Sequence, residues 1–231
     1  MSQEKIKFEQ YRVRGKHREF SVIVFPEKKY MWAYYEGFDG EYEIDGDLST
    51  YRLLKFAMAI LAHDPHVIIY LPVRNRILGD HAWGKCYDAV LCRPELQLRR
   101  SEWIRLRHQL NDAHRVEKYV LQYDAQKLCN EWEKIEHSPA RYRIQKREKQ
   151  EVRMLQDDTV FFVFLKETYL QYHSSIVVSL REGVPTYSNK CKPTGGLGWV
   201  LFGSWIREME EEIKQTQKGV LMSETADDLL K

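Results

Sequence analysis

The sequence predicts a single α/β domain built on a mixed sheet, spanning residues 1–218, with a frayed polar tail at 219–231. Three observations predict it. Short β-branched and aromatic runs end at prolines, as buried strands do. Between them, apolar residues recur every three to four positions, the period of a helix packed on one face. The chain has 231 residues, 43% hydrophobic and 13% aromatic, which is enough to bury a core and too apolar for a disordered protein.

The elements follow in order. Glu19–Phe25 is a near-continuous apolar run ending at Pro26, and reads as a central strand buried on both faces. Tyr30–Glu36 reads as a second strand after a charged turn, and Glu41–Asp45 as a short third strand at an edge. The period then changes. Ser49 or Thr50 caps a helix whose Leu53, Phe56, Ala57, Ile60 and Leu61 share one face, and Pro65 stops it. Val67–Leu71 is another buried strand, closed by Pro72. Residues 73–94 read as irregular, punctuated by Gly79, Gly84 and Pro94.

Residues 95–136 contain no Gly or Pro, and the stretch 95–156 reads as a helical insertion. Trp103, Leu106 and Leu110 make one apolar stripe; Val116, Tyr119, Val120, Tyr123, Leu128, Trp132 and Ile135 make another, on two helices or one long bent one. Thr159–Leu165 and Ser175–Leu180 read as strands, residues 183–198 as a long loop, and Trp199–Ile213 as a C-terminal helix. No internal repeat is visible.

Composition sets the setting. No apolar run reaches the roughly 18–20 residues that cross a bilayer, and the charged opening residues carry no apolar leader, so the expectation is a cytoplasmic protein without a membrane partner. Cys86, Cys92, Cys129 and Cys191 are then reduced thiols, and the five residues between the first two are not a zinc spacing. Net charge is only +2, but it is segregated. Arg12, Arg14, Lys16 and Arg18 occupy an acid-free block, whereas residues 36–47 hold six acids and no base.

The element order over residues 19–72, three strands with short connections, a helix and a further buried strand, resembles the opening of the ribonuclease H fold. That resemblance implies three carboxylates holding two divalent cations: an Asp in the first strand, a Glu in the helix and an Asp closing the next strand. This chain has none at those places. Its first strand lacks Asp, its helix has no acid before Asp64, and the following strand ends Leu71-Pro72-Val73-Arg74. The family's nuclease chemistry is therefore expected to be lost.

Other constellations carry weaker chemistry. The acidic run from Asp39 to Asp47 resembles a calcium loop, with Gly46 at the sixth position when Glu41 is the first. The twelfth position is Arg52 where a bidentate Glu is required, so a solvated hairpin is the better reading. His63 and His66 flank a helix end without further ligands at metal spacing. Asp80, His81 and Cys86 share an irregular segment with no catalytic signature around the thiol. Lys190–Gly198 places glycines before a helix, as phosphate loops do, but lacks the Lys-Ser/Thr ending; a flexible connection is preferred.

The strongest partner signal is basic. Arg141, Tyr142, Arg143, Lys146, Arg147 and Lys149 combine phosphate-neutralising cations with a ring that can stack on a base. Arg93, Arg99, Arg100, Arg105 and Arg107 extend that surface if the two segments fold side by side. The plainer alternative is a solvated helix face. The expected function is a non-catalytic protein that binds DNA or RNA, in a phage, mobile-element or defence setting, without a cofactor. A second reading is an inhibitor-like or immunity-like module that meets a basic protein through Asp39, Glu41, Glu43, Asp45 and Asp47. A third is an enzyme using the 80–86 or 195–198 loop.

Overall fold

The computed structural model describes residues 3–26, 31–36, 41–46, 48–74, 86–111, 116–139, 151–155, 158–182, 186–187 and 200–201. Seven strands form one mixed sheet in the order β7-β1-β2-β5-β6-β9-β8. They are β1 (Gln3–Arg14), β2 (Glu19–Val24), β5 (Val67–Leu71), β6 (Asp88–Cys92), β7 (Val116–Asp124), β8 (Glu151–Leu155) and β9 (Thr159–Val163). The pairs β2–β5 and β6–β9 are parallel; the other four are antiparallel. Each parallel pair is reached by a long excursion, since parallel neighbours need a crossover.

Two layers of helix cover the sheet. On one face lie α1 (Leu48–His63), α3 (Ala125–Glu136) and α4 (Lys166–Glu182), with α4 packed against the other two. They bury Leu54, Met58, Leu61, Trp132, Tyr169 and Ile176 against Ile23, Ile69, Leu91 and Phe162. The opposite face carries α2 (Arg100–Asn111), entered through a 3-10 turn at Pro94–Leu96. Its Trp103 and Leu106 seal a second cluster with Phe20, Val22, Ile68, Val90 and Phe161. Trp103 meets the Tyr70 ring edge-on at 5.0 Å, a favoured aromatic geometry. Helices on both faces explain why β5, β6 and β9 are buried along their whole length.

Several expectations are corrected. The strands β3 (Met31–Glu36) and β4 (Glu41–Gly46) exist, but they pair with each other in a separate ribbon and not within the main sheet. The ribbon is tied down through buried Met31, Ala33 and Ile44, and through the Tyr87 N–H donating to the Ala33 carbonyl at 2.8 Å. β1 and β6 fall where no strand was expected. β1 alternates Ile6 and Phe8 with charged residues, so its strand signal is diluted by a face that stays wet.

The helical insertion is interrupted. Residues 116–124 are β7 and residues 151–155 are β8, so among the described residues of that stretch the α-helices are α2 and α3. Val116, Tyr119, Val120 and Tyr123 fit a helical period, but Tyr119, Leu121 and Tyr123 also alternate, and nine paired positions along β1 decide for the strand. Ser175–Leu180 belongs to α4 and is no strand. Tyr169, Tyr172, His173 and Ile176 upstream and within it share one buried helical face. In the expected loop and C-terminal helix, Thr186–Tyr187 and Val200–Leu201 pair as two short strands; the rest lies outside the described residues.

Candidate nucleic-acid interface

The basic candidates on α2 and its approach are held from the sequence upward. Pro94 sets the 3-10 turn, Gln97 takes a left-handed conformation after it, and the chain enters α2 at Arg100. Arg93 is tied to Glu95 at 2.5 Å. Arg99, Arg100 and Arg105 are exposed, and the Arg99 N–H donates to Glu102 Oε2 at 3.2 Å. Arg99 and Arg100 put cations at a helix start, where the macrodipole favours anions. Arg107 leaves this surface: it turns inward and donates to Thr159 Oγ1 at 3.3 Å.

A second basic segment joins them, one the sequence marked only as an acid-free block. The β1–β2 turn carries exposed Arg14, Lys16, His17 and Arg18 around buried Gly15. The Arg18 guanidinium donates to the Leu96 carbonyl and lies over the Phe20 ring at 4.6 Å. The Arg14 N–H donates to Gln109 Oε1 at 3.2 Å, and Gln109 Nε2 donates back to the Arg14 carbonyl at 3.1 Å. The turn is therefore fixed at both the start and the end of the α2 segment. Arg12 is the exception, paired with Glu117 at 2.9 Å. Arg14, Lys16 and Arg105 make no ion pair among the described residues.

Arg141, Tyr142, Arg143, Lys146, Arg147 and Lys149 lie outside the described residues, as do Asp39, Asp47, Asp80, His81 and the 190–198 segment. Glu41, Glu43 and Asp45 occupy alternate positions of β4, opposite Glu36, Tyr34 and Trp32. His63 closes α1, edge-on to Tyr123 at 6.5 Å, with its pKa lowered by burial and then by Lys166. The His66 N–H donates to Asp64 Oδ1 at 2.9 Å. Cys86 and Cys92 are buried. Among the described residues, no three His, Cys, Asp or Glu side chains gather as metal ligands.

One buried carboxylate escaped the sequence reading. Asp88 opens β6 almost without exposure, accepting from the Tyr70 hydroxyl at 2.7 Å and the Arg74 N–H at 3.0 Å. Burial, then the Asp88 charge, raises the Tyr70 pKa, so the phenol stays protonated and donates. Arg74 Nε stands 3.6 Å from the same carboxylate. With both its oxygens engaged, Asp88 fixes the chain leaving β5 for the 75–85 segment. No family model, curated protein or solved structure matches the chain.

Proposed function

We propose that this protein binds nucleic acid without chemistry of its own, through phosphate contacts from the β1–β2 turn and the α2 segment. One observation carries the reading: Arg18 on Leu96, with the reciprocal Arg14–Gln109 pair, brings two basic segments some 80 residues apart in sequence onto one surface. Arg14, Lys16, Arg18, Arg99, Arg100 and Arg105 present their cations there, and Glu102 reaches back to cap the α2 start. Such a surface gains affinity by releasing counterions, a mechanism that needs no base-specific geometry. On this reading the protein is cytoplasmic, with DNA or RNA as its partner.

Fluorescence anisotropy with single-stranded DNA, duplex DNA and RNA over a salt series tests it. The expected result is binding whose log affinity falls linearly with log salt. In Arg14→Glu/Lys16→Glu/Arg99→Glu, with folding verified by circular dichroism, the slope is expected to shrink by about one for each phosphate no longer neutralised. Arg143→Glu/Lys146→Glu/Arg147→Glu measures what the 141–149 run adds. Absence of binding at low salt, or an unchanged slope in the first variant, removes the proposal. Retention of a basic protein partner, abolished by Glu41→Lys/Glu43→Lys, would favour an interaction module instead.

A further inference from the structure

The seven-stranded sheet ends in a long edge at β7. Nine residues, Val116–Asp124, pair one-to-one with β1 on one side, and no strand among the described residues pairs on the other. Edges are ordinarily blunted by proline, bulges, short length or charge. This one contains neither Pro nor Gly, its register with β1 is unbroken, its charges Glu117, Lys118 and Asp124 lie to either side of the midpoint, and its centre is Val120, a large apolar side chain 49% exposed. We propose that β7 is a self-pairing edge, through which two copies of this chain join their sheets antiparallel about Val120.

The pattern of residues chooses that register. Val120 is the midpoint of the strand, so a two-fold axis there uses all nine residues. Val120 meets itself, Lys118 meets Gln122, Tyr119 meets Leu121, Glu117 meets Tyr123 and Val116 meets Asp124; no like charges are opposed. Moving the axis to residue 118 sets Lys118 directly against its copy and leaves four residues unused. On the helix-covered face, Tyr119 and Leu121 are half-buried against the main core. Pairing with the partner's Leu121 and the partner's Tyr119 carries that apolar layer across the axis. The opposite face places the Val120 pair between Lys118 and Gln122 on either side.

Directly opposed residues of antiparallel strands have Cα atoms about 4.5–5.5 Å apart, within disulfide reach. In a Cys129→Ser/Cys191→Ser background, Val120→Cys is expected to give a covalent dimer on mild oxidation. Lys118→Cys should not, because it and its copy are offset by four residues, about 13 Å along the strands. Sedimentation of the nuclease-treated full chain should show a dimer, shifted toward monomer by Val120→Lys. Nucleic acid is absent from these measurements, so they succeed or fail independently of the proposed function. A monomer at every concentration, or equal cross-linking at 118 and 120, overturns the proposal. So does a Val120→Cys thiol closed to alkylation in a monomer, which would mean that another segment of the chain covers the edge.

Discussion

His173 is fully buried in α4, and neither ring nitrogen meets a hydrogen-bond partner among the described residues. Its ring packs edge-on against Tyr123 at 5.7 Å. Burial pushes its pKa down to about 3, with the Lys55 ammonium and His63 adding to the shift. The folded state thus holds a neutral imidazole while the unfolded chain, near 6.5, binds a proton first. Stability is therefore full above pH 6.5 and falls as pH drops toward 3, by about 2 kcal/mol between pH 7 and pH 5. Urea unfolding of the wild type and His173→Phe across that range should show the decline in the first and a flatter profile in the second. Asp88→Ala strips the acceptor from the Tyr70 hydroxyl and the Arg74 N–H and is expected to cost about 3 kcal/mol at pH 7, read by urea unfolding.

At the scale of elements, α2 depends on one side chain. Trp103 has no exposed surface and contacts the rings of Tyr70 and Phe161. Trp103→Ala is expected to cost about 3–5 kcal/mol and, on the proposed function, to weaken nucleic-acid binding with it, because the arginines on α2 lose their platform. The β1–β2 turn has its own constraint. A Cβ on Gly15 would sit 2.5 Å from the Phe20 ring and 2.9 Å from the Arg18 carbonyl. Gly15→Ala should displace the turn, lowering thermal stability and, on the proposed function, the salt-dependent affinity assigned to Lys16 and Arg18. Reduced stability with affinity retained would show that the turn makes no phosphate contact. The same scale explains the misread elements. Short apolar runs such as those within β7 and α4 satisfy two periods at once, and the choice falls to the neighbours they pair with or pack on.

The whole molecule sets what each face offers. Among the described residues, three helices cover one side of the sheet and α2 packs on the other, and β1 and β7 leave Lys5, Lys7, Glu9, Lys118 and Gln122 exposed. The basic surface lies beside that open area, at the end where β1 turns into β2. No helix among the described residues is long and apolar enough to cross a membrane. Arg99, Arg100 and Arg105 are countable as cations in the sequence, which does not say what surface they join. The contribution of Arg14, Lys16 and Arg18 was visible only as a charge block, since nothing local indicates that Leu96 and Gln109 fold onto the turn. Asp88 was illegible for the opposite reason: one acid beside an apolar run gives no sign of the tyrosine 18 positions earlier that will hold it.

The sequence by itself determined the class and much of the element list: β2 through β5 with α1 between, the Trp103–Leu110 stripe of α2, and β9. Those segments carry strong periodicity bounded by Pro or a capping residue, which is local information. Only the tertiary structure decided that β3 and β4 stand apart from the main sheet, that 116–124 pairs as a strand with β1, that Arg107 turns inward, and that two distant basic segments share a surface. Each of these is a contact between residues far apart in the chain, where burial and hydrogen-bond pairing outweigh local preference by amounts no single window of sequence contains.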